Sequence, residues 1–131
     1  MLFRSRPKGE LNTEMFSFGP FIPHPGTPLK DVKSPSLEAV LNAIARARLM
    51  YPESKIVVTT ALETLDKEKG AREGLMAGGN SIMINVTPEN YRSLYEIYPS
   101  RAHIELSVET RIKQVLDLLY SLGRAPTDLG L

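Results

Sequence analysis

The sequence predicts an α/β fold in which four β–α units surround a parallel sheet. Short β-prone runs alternate with segments of helical period, and the best of these runs, residues 55–60, is apolar almost throughout. A nearly continuous apolar strand is typical of a sheet buried on both faces, and regular alternation favours parallel pairing through right-handed crossovers. Four such units are either half of an eight-stranded barrel or a small open sheet.

The first unit begins with a β-prone run at residues 15–19. A loop over residues 20–28 follows, and its four prolines fix the backbone without making it a strand. A helix then begins at Ser34 and Pro35, where a capping residue precedes a proline at the first helical position, and it ends at Tyr51.

The second and third units repeat this order. After the strand at residues 55–60, Thr64 or Asp66 caps a helix that ends at Gly78. Residues 81–86 form the third strand, and residues 87–98 form the third helix. One face of that helix carries Tyr91, Leu94, Tyr95 and Tyr98, and we attribute its three tyrosines to packing in the core and at its rim.

The fourth unit completes the predicted fold. Residues 102–107 alternate in polarity, as a short edge strand does. Ser107 caps the last helix, which ends at Gly123. Residues 1–13 have no clear period and carry three basic residues, so we interpret them as a flexible arm before a single domain over residues 14–131.

Composition limits the classes of function. The 131 residues are 42% hydrophobic and 24% charged, and the net charge of +1 argues against phosphate-driven nucleic-acid binding and against basic anchoring at a membrane. No apolar run approaches the roughly 20 residues of a membrane span, so we expect a cytoplasmic protein. With no cysteine and only two histidines, the sequence offers no thiol nucleophile and no cysteine-held iron–sulfur cluster. We expect this chain alone to bind no metal ion or cofactor.

Polar residues at the carboxyl ends of the predicted strands are the best candidates for a binding site. The Thr59 and Thr60 hydroxyls can donate to a carboxylate or phosphate oxygen; alternatively, they bond to the local backbone. Asn85 either faces the same opening or bonds its own turn. His24, between two prolines, suits ligand contact, proton transfer or simple packing. Glu63 is either a general base or, because nothing in the sequence pairs it with a second titrating group, a solvated loop acid.

Four short segments, in matching order, resemble one family: GPFIPHP at residues 19–25, TTAL at 59–62, NVTP at 85–88 and YRSLY at 91–95. Together they are similar to the biotin-and-thiamine-synthesis-associated domain of the radical S-adenosylmethionine [FeFe]-hydrogenase maturase and biotin synthase family. The resemblance covers residues 15–124. It implies the C-terminal half of a TIM-type (β/α)8 barrel, and it implies S-adenosylmethionine and a [4Fe–4S] cluster held by an N-terminal half that carries the cysteines.

The resemblance also implies roles for individual residues. Thr59 and Thr60 would line the cavity and hold an anionic group, which the resemblance implies is a carboxylate. The cofactor or substrate side would be approached by Met83 and by the loop of Pro23 and His24, and the cavity mouth would be shaped by Asn85 and Thr87. The sequence departs from the family pattern at Gly26, where Asp is usual, and at Ile84, where Pro is common, and the usual C-terminal cysteines are absent.

Three hypotheses follow from the sequence. The first is the C-terminal half-barrel of a radical enzyme, inactive alone, that contributes part of a ligand cavity. The second is a stand-alone module that binds a small anion. The third concerns assembly: because a half-barrel has open sheet edges, we expect it to pair with the missing half or with a second copy as a homodimer.

Overall fold

A computed structural model describes residues 14–94 and 97–127. Three strands form one sheet in the order β1-β2-β3, and both neighbouring pairs are parallel. This confirms the predicted α/β class and the parallel sheet, with three strands rather than four in the described residues. The elements are β1 (Met15–Ser17), α1 (Leu37–Met50), β2 (Lys55–Val58), α2 (Thr60–Leu65), α3 (Gly70–Met76), β3 (Ser81–Ile82), α4 (Glu89–Arg92) and α5 (Val108–Ser121).

The central strand β2 organises the hydrophobic core. Ile56 and Val58 are fully buried and contribute to the core between the sheet and helices α1 and α3. Because partners in a parallel sheet share a face, Phe16, which pairs with Ile56, lies on this side of the sheet as well. The other buried core residues are Phe18, Val40, Ile44, Ala47, Leu62 and Leu75.

Helix α1 begins two residues later than the sequence predicts. Ser36, rather than Ser34, is the N-cap, and its hydroxyl accepts a hydrogen bond from the backbone N–H of Ala39 at 3.2 Å. The predicted end is confirmed, because the Tyr51 N–H bonds the Ala47 carbonyl and closes the last turn.

The second helical segment is divided into α2 and α3. Asp66 causes the break, because its carboxylate accepts hydrogen bonds from the backbone N–H groups of Glu68 and Lys69 and holds a turn between the two helices. The predicted end at Gly78 is confirmed: its φ of 125° is in the region that favours glycine.

The predicted fourth strand is wrong. Residues 102–105 form turns, and His103 has a φ of 60°, which is incompatible with an extended strand. The buried Arg92 guanidinium donates to the carbonyls of Ile104 and Leu106, and it also donates to the carbonyl of Thr87 at 2.7 Å. These bonds hold the carbonyls in a turn instead of a strand ladder.

The third strand and the third helix are shorter than predicted. β3 has two residues where residues 81–86 were expected, and α4 has four residues where the sequence predicts a helix to Tyr98. Tyr91 is exposed and does not pack in the core, whereas Tyr98 is half-buried; Leu94, on the same predicted face, is also exposed. Tyr95 and the predicted arm at residues 1–13 lie outside the described residues.

Helix α5 begins and ends as predicted. Ser107 is the N-cap, and its hydroxyl accepts the Thr110 N–H at 3.1 Å, while Gly123, with a φ of 67°, follows the last turn. None of the helices in the described segments has both the length and the apolar character that crossing a bilayer requires.

Candidate functional site

The carboxyl ends of β1 and β2 meet at one edge of the sheet. Ser17 pairs with Val57, so the residues that follow each strand emerge side by side. A Cβ built on Gly19 would lie 3.4 Å from the Thr59 hydroxyl oxygen, which shows how closely the two segments approach. The start of the proline-rich loop and the threonine pair therefore lie together at this edge.

Thr59 and Thr60 are both buried and have different local roles. Thr59 is the N-cap of α2, and its hydroxyl oxygen accepts the Leu62 N–H at 3.3 Å. Thr60 is the first residue of α2, and its carbonyl accepts the Thr64 hydroxyl at 2.8 Å. Within the described residues no hydrogen bond engages the Thr60 hydroxyl itself. Thr59 thus has the local backbone role that is one of its two interpretations.

The loop residues Pro23 and His24 are half-buried. The Nδ1 of His24 accepts the Gly26 N–H at 3.0 Å, and the His24 carbonyl accepts the Thr27 hydroxyl at 2.9 Å. The imidazole is therefore held by its own turn as well as by the neighbouring prolines. This turn fixes the direction of the ring.

The residues after β3 also form a local turn. The Asn85 side-chain oxygen accepts the Thr87 N–H at 3.1 Å, and the Thr87 carbonyl is bonded by Arg92. Met83 is 48% exposed. Asn85 thus bonds its own turn, which is one of the two interpretations of this residue. The exposed Met83 presents apolar surface at this end of the sheet.

A buried ionic cluster lies one helical turn beyond the threonine pair. The Glu63 carboxylate, 2% exposed, places Oε2 at 2.6 Å from the Nε2 of His103 and at 2.5 Å from the Nη2 of Arg111. The interpretation of Glu63 as a solvated loop acid is therefore wrong. A carboxylate taken out of water is tolerated when charged donors replace its lost hydrogen bonds, as Arg111 does here.

The second oxygen of the same carboxylate has no such replacement. Oε1 of Glu63 is buried and has no hydrogen-bond partner among the described residues. An acceptor left unpaired in a protein interior costs about 1–3 kcal/mol, and native structures contain few of them. Only Oε2 of the buried Glu63 carboxylate is therefore paired within the described residues.

Sequence reasoning missed this cluster because its members are distant along the chain. His103 and Arg111 are 40 and 48 positions from Glu63. The helical spacing of Thr60, Glu63 and Thr64 places them on one face of α2, and this pattern is the only local signal. A single sequence does not reveal which distant residues that face contacts.

The described residues also form a groove of about 1130 Å³ between α5 and the amino-terminal part of the sheet. Its charged lining residues are Arg48, Lys55 and Arg124, with no acidic residue among its described lining. Arg48 donates to the carbonyls of Gly78, Tyr51, Pro52 and Ser54, and Arg124 donates to those of Leu75 and Gly79. The two arginines therefore stabilise the ends of helices through hydrogen bonds to backbone carbonyls. No group of three or more potential metal-ligating side chains occurs in the described segments.

Comparison with known proteins gives two related matches. Residues 17–125 match the Biotin and Thiamin Synthesis associated domain, a range that includes β2, β3 and every helix described above. Over 118 residues the chain is 39% identical to the [FeFe] hydrogenase maturase subunit HydE of Thermotoga maritima, and this covers 89% of the chain and 33% of that protein. The chain thus spans about a third of the length of this curated relative.

Proposed function

Since the chain belongs to the Biotin and Thiamin Synthesis associated domain family, we propose that it forms the C-terminal part of a radical S-adenosylmethionine enzyme similar to the [FeFe] hydrogenase maturase. In this proposal the chain contributes one wall of a ligand cavity. A complementary segment supplies the rest of the barrel, including the cluster and S-adenosylmethionine.

The incomplete sheet supports this proposal. Within the described residues, β1 and β3 each have one paired edge and one open edge. The core cluster lies on one face of the sheet, while Ser17, Val57 and Ser81 share the opposite face. Open parallel edges are what a segment of a larger barrel requires, because the barrel closes only when further strands are added.

The residues of this chain do not fit an iron–sulfur cluster. Such clusters are held by cysteine thiolates, and the sequence contains no cysteine. The cluster and the radical chemistry that it supports are therefore assigned to the complementary segment, and the present chain is inactive alone.

The observation that carries the proposal is the position of the Thr60 hydroxyl. Thr60 is a buried residue at the carboxyl end of the central strand; no hydrogen bond to its hydroxyl occurs among the described residues, and the hydroxyl is not one of the fully buried polar atoms that lack a partner, so it keeps an accessible side. Such a hydroxyl can donate to a ligand carboxylate at the edge of the sheet where parallel α/β folds bind ligands. We assign the remaining predicted contacts to the same ligand or to the cavity mouth: Pro23, His24, Thr59, Met83, Asn85 and Thr87.

Reconstitution with a complementary segment tests this function. The chain is mixed with a cluster-bearing N-terminal segment from a maturase of this family, and cleavage of S-adenosylmethionine is measured. We expect the mixture to form a stable complex with activity that neither part has alone. Thr60→Val should weaken ligand-dependent turnover, whereas Thr60→Ser, which keeps the hydroxyl, should retain it. Cluster binding and cleavage by the chain alone would contradict the proposal.

A second candidate is a stand-alone module that binds a small anion. It is favoured by the complete core of the chain, in which Ile44, Ile56, Val58 and Leu62 have no exposed surface. Calorimetry of the chain with acetate, phosphate and S-adenosylmethionine separates the two candidates. Binding without the complementary segment that is lost in Thr60→Val but not in Thr60→Ser supports the module; no binding supports the first proposal.

A further inference from the structure

The cluster of Glu63, His103 and Arg111 is not used by the proposed function. It nevertheless lies beside the candidate site, because Thr60 and Glu63 are three residues apart on α2 and so share one face of that helix. The loop that carries His103 is also fixed to this face, since the Ala102 N–H bonds the Thr64 hydroxyl at 2.9 Å. The imidazole is therefore held against the face of α2 that also carries Thr60.

The hydrogen bonds of the cluster determine which ring nitrogen of His103 carries the proton. Arg111 donates to Oε2 of the Glu63 carboxylate, and an ionised carboxylate can only accept hydrogen bonds. The Nε2 of His103, at 2.6 Å from the same oxygen, is therefore the nitrogen that donates. In the neutral ring, Nδ1 then carries a lone pair.

The second ring nitrogen remains accessible. The His103 side chain is 22% exposed, and within the described residues Nδ1 is not among the buried polar atoms that lack a partner. An imidazole is suited to accept protons when one of its nitrogens donates to a carboxylate and the other faces solvent. The carboxylate then stabilises the imidazolium that forms.

We propose that His103 is a proton-transfer residue for a ligand bound at the Thr60 edge, with Glu63 and Arg111 as its positioning residues. The ligand class is a small anion that also carries a protic group, such as an ammonium, thiol or hydroxyl. The ligand X–H bond breaks, an Nδ1–H bond forms, and the electron pair stays on the ligand. The Nε2–H to Glu63 bond is kept throughout. The location of the ligand rests on the proposed function.

The tautomer of His103 tests this inference on the unmodified chain. The sequence has only two histidines, so nitrogen-15 NMR resolves each ring. In the neutral ring of His103 we expect the hydrogen on Nε2 and a bare Nδ1. A neutral His103 with its hydrogen on Nδ1 would overturn the proposal.

Reaction with diethyl pyrocarbonate tests the second part, that Nδ1 is an accessible base made more reactive by Glu63. Acylation of each histidine is followed by mass spectrometry. We expect His103 to react in the folded chain, and Glu63→Gln to slow this reaction several-fold while the rate at His24 stays unchanged. Glu105→Gln is the matched control, since Glu105 is an exposed acid two residues from His103.

A purely structural ion cluster gives a different result. In that case His103 is protected from acylation in the folded chain, or its rate does not respond to Glu63→Gln, and either outcome overturns the inference. A changed rate at His24 marks a folding defect in the variant, and the tautomer measurement then decides. Both measurements use the chain alone. Failure to complement an N-terminal segment therefore contradicts the proposed function, whereas the tautomer and acylation results decide this inference.

Discussion

At the scale of single residues, small side chains set the distance between α3 and the central strand. A Cβ at Gly74 would lie 2.9 Å from a methyl of Leu62 and 3.1 Å from Val58. A Cβ at Gly79 would lie 2.6 Å from Val58 and 2.8 Å from the Gly74 carbonyl. Protein interiors are densely packed, so these contacts leave no room for a methyl group.

Gly79→Ala should therefore destabilise the fold. The added methyl group meets a backbone carbonyl, which cannot move aside as a flexible side chain can, and overpacking of this kind costs about 1–3 kcal/mol. Chemical denaturation of the two proteins measures the difference. Gly19→Ala is the matched control, because its nearest neighbour is at 3.4 Å and we expect little change. Equal loss of stability in both variants would show that the close contact is not the cause.

At the scale of elements, α5 is connected to the rest of the protein largely through side chains. Its recorded polar links are the Arg111 bond to Glu63 and the bond between Arg72 and Ser121, and Leu118 and Leu119 pack against the core. Because this attachment is limited, the position of α5 depends on the intrinsic stability of the helix more than the position of α1 does.

Ser107→Ala should weaken α5 at its first turn. The substitution removes the hydroxyl that accepts the Thr110 N–H, and loss of such a cap costs about 1 kcal/mol. Ser107→Asp keeps an acceptor and should restore most of the loss. Hydrogen exchange of the α5 amides reports the effect locally. Unchanged exchange in Ser107→Ala would mean that packing alone fixes the helix.

Features encoded by neighbouring residues could be predicted from the sequence, and features that depend on distant contacts could not. The Ser107 cap and the end of α3 at Gly78 are local and are confirmed. The buried strand β2 is local as well, and it is confirmed over residues 55–58 of the predicted 55–60, because Thr59 and Thr60 begin α2 instead. Residues 102–107 have a strand-like pattern, but Arg92, from another part of the chain, holds them in turns. The pairing of Glu63 with His103 was hidden in the same way, although both residues were visible as individuals.

At the scale of the whole molecule, the sheet formed by the described residues has open edges that a larger assembly would cover. Met15 lies on the edge strand β1 and is 59% exposed, and it shares the face of Ser17 and Val57 rather than that of the core. An open edge flanked by exposed apolar side chains is a site where further strands can pair.

We therefore predict that the isolated chain self-associates when no complementary segment is present. Light scattering at micromolar concentration should give a mass above that of the monomer, consistent with a two-fold dimer. Met15→Lys should shift the distribution towards monomer, because a charge at an edge strand opposes pairing. Met76→Lys is the matched control, since Met76 is similarly exposed on α3. A strictly monomeric unmodified chain would refute this prediction.

The arginines Arg48, Arg92 and Arg124 bond backbone carbonyls in every recorded contact. Dissolved ions screen attraction between exposed opposite charges, but they have far less effect on a partly buried guanidinium that donates to neutral oxygens. Much of the polar framework of this protein is therefore insensitive to ionic strength. Added sodium chloride should leave the thermal midpoint nearly constant, which scanning calorimetry across a salt series would measure directly.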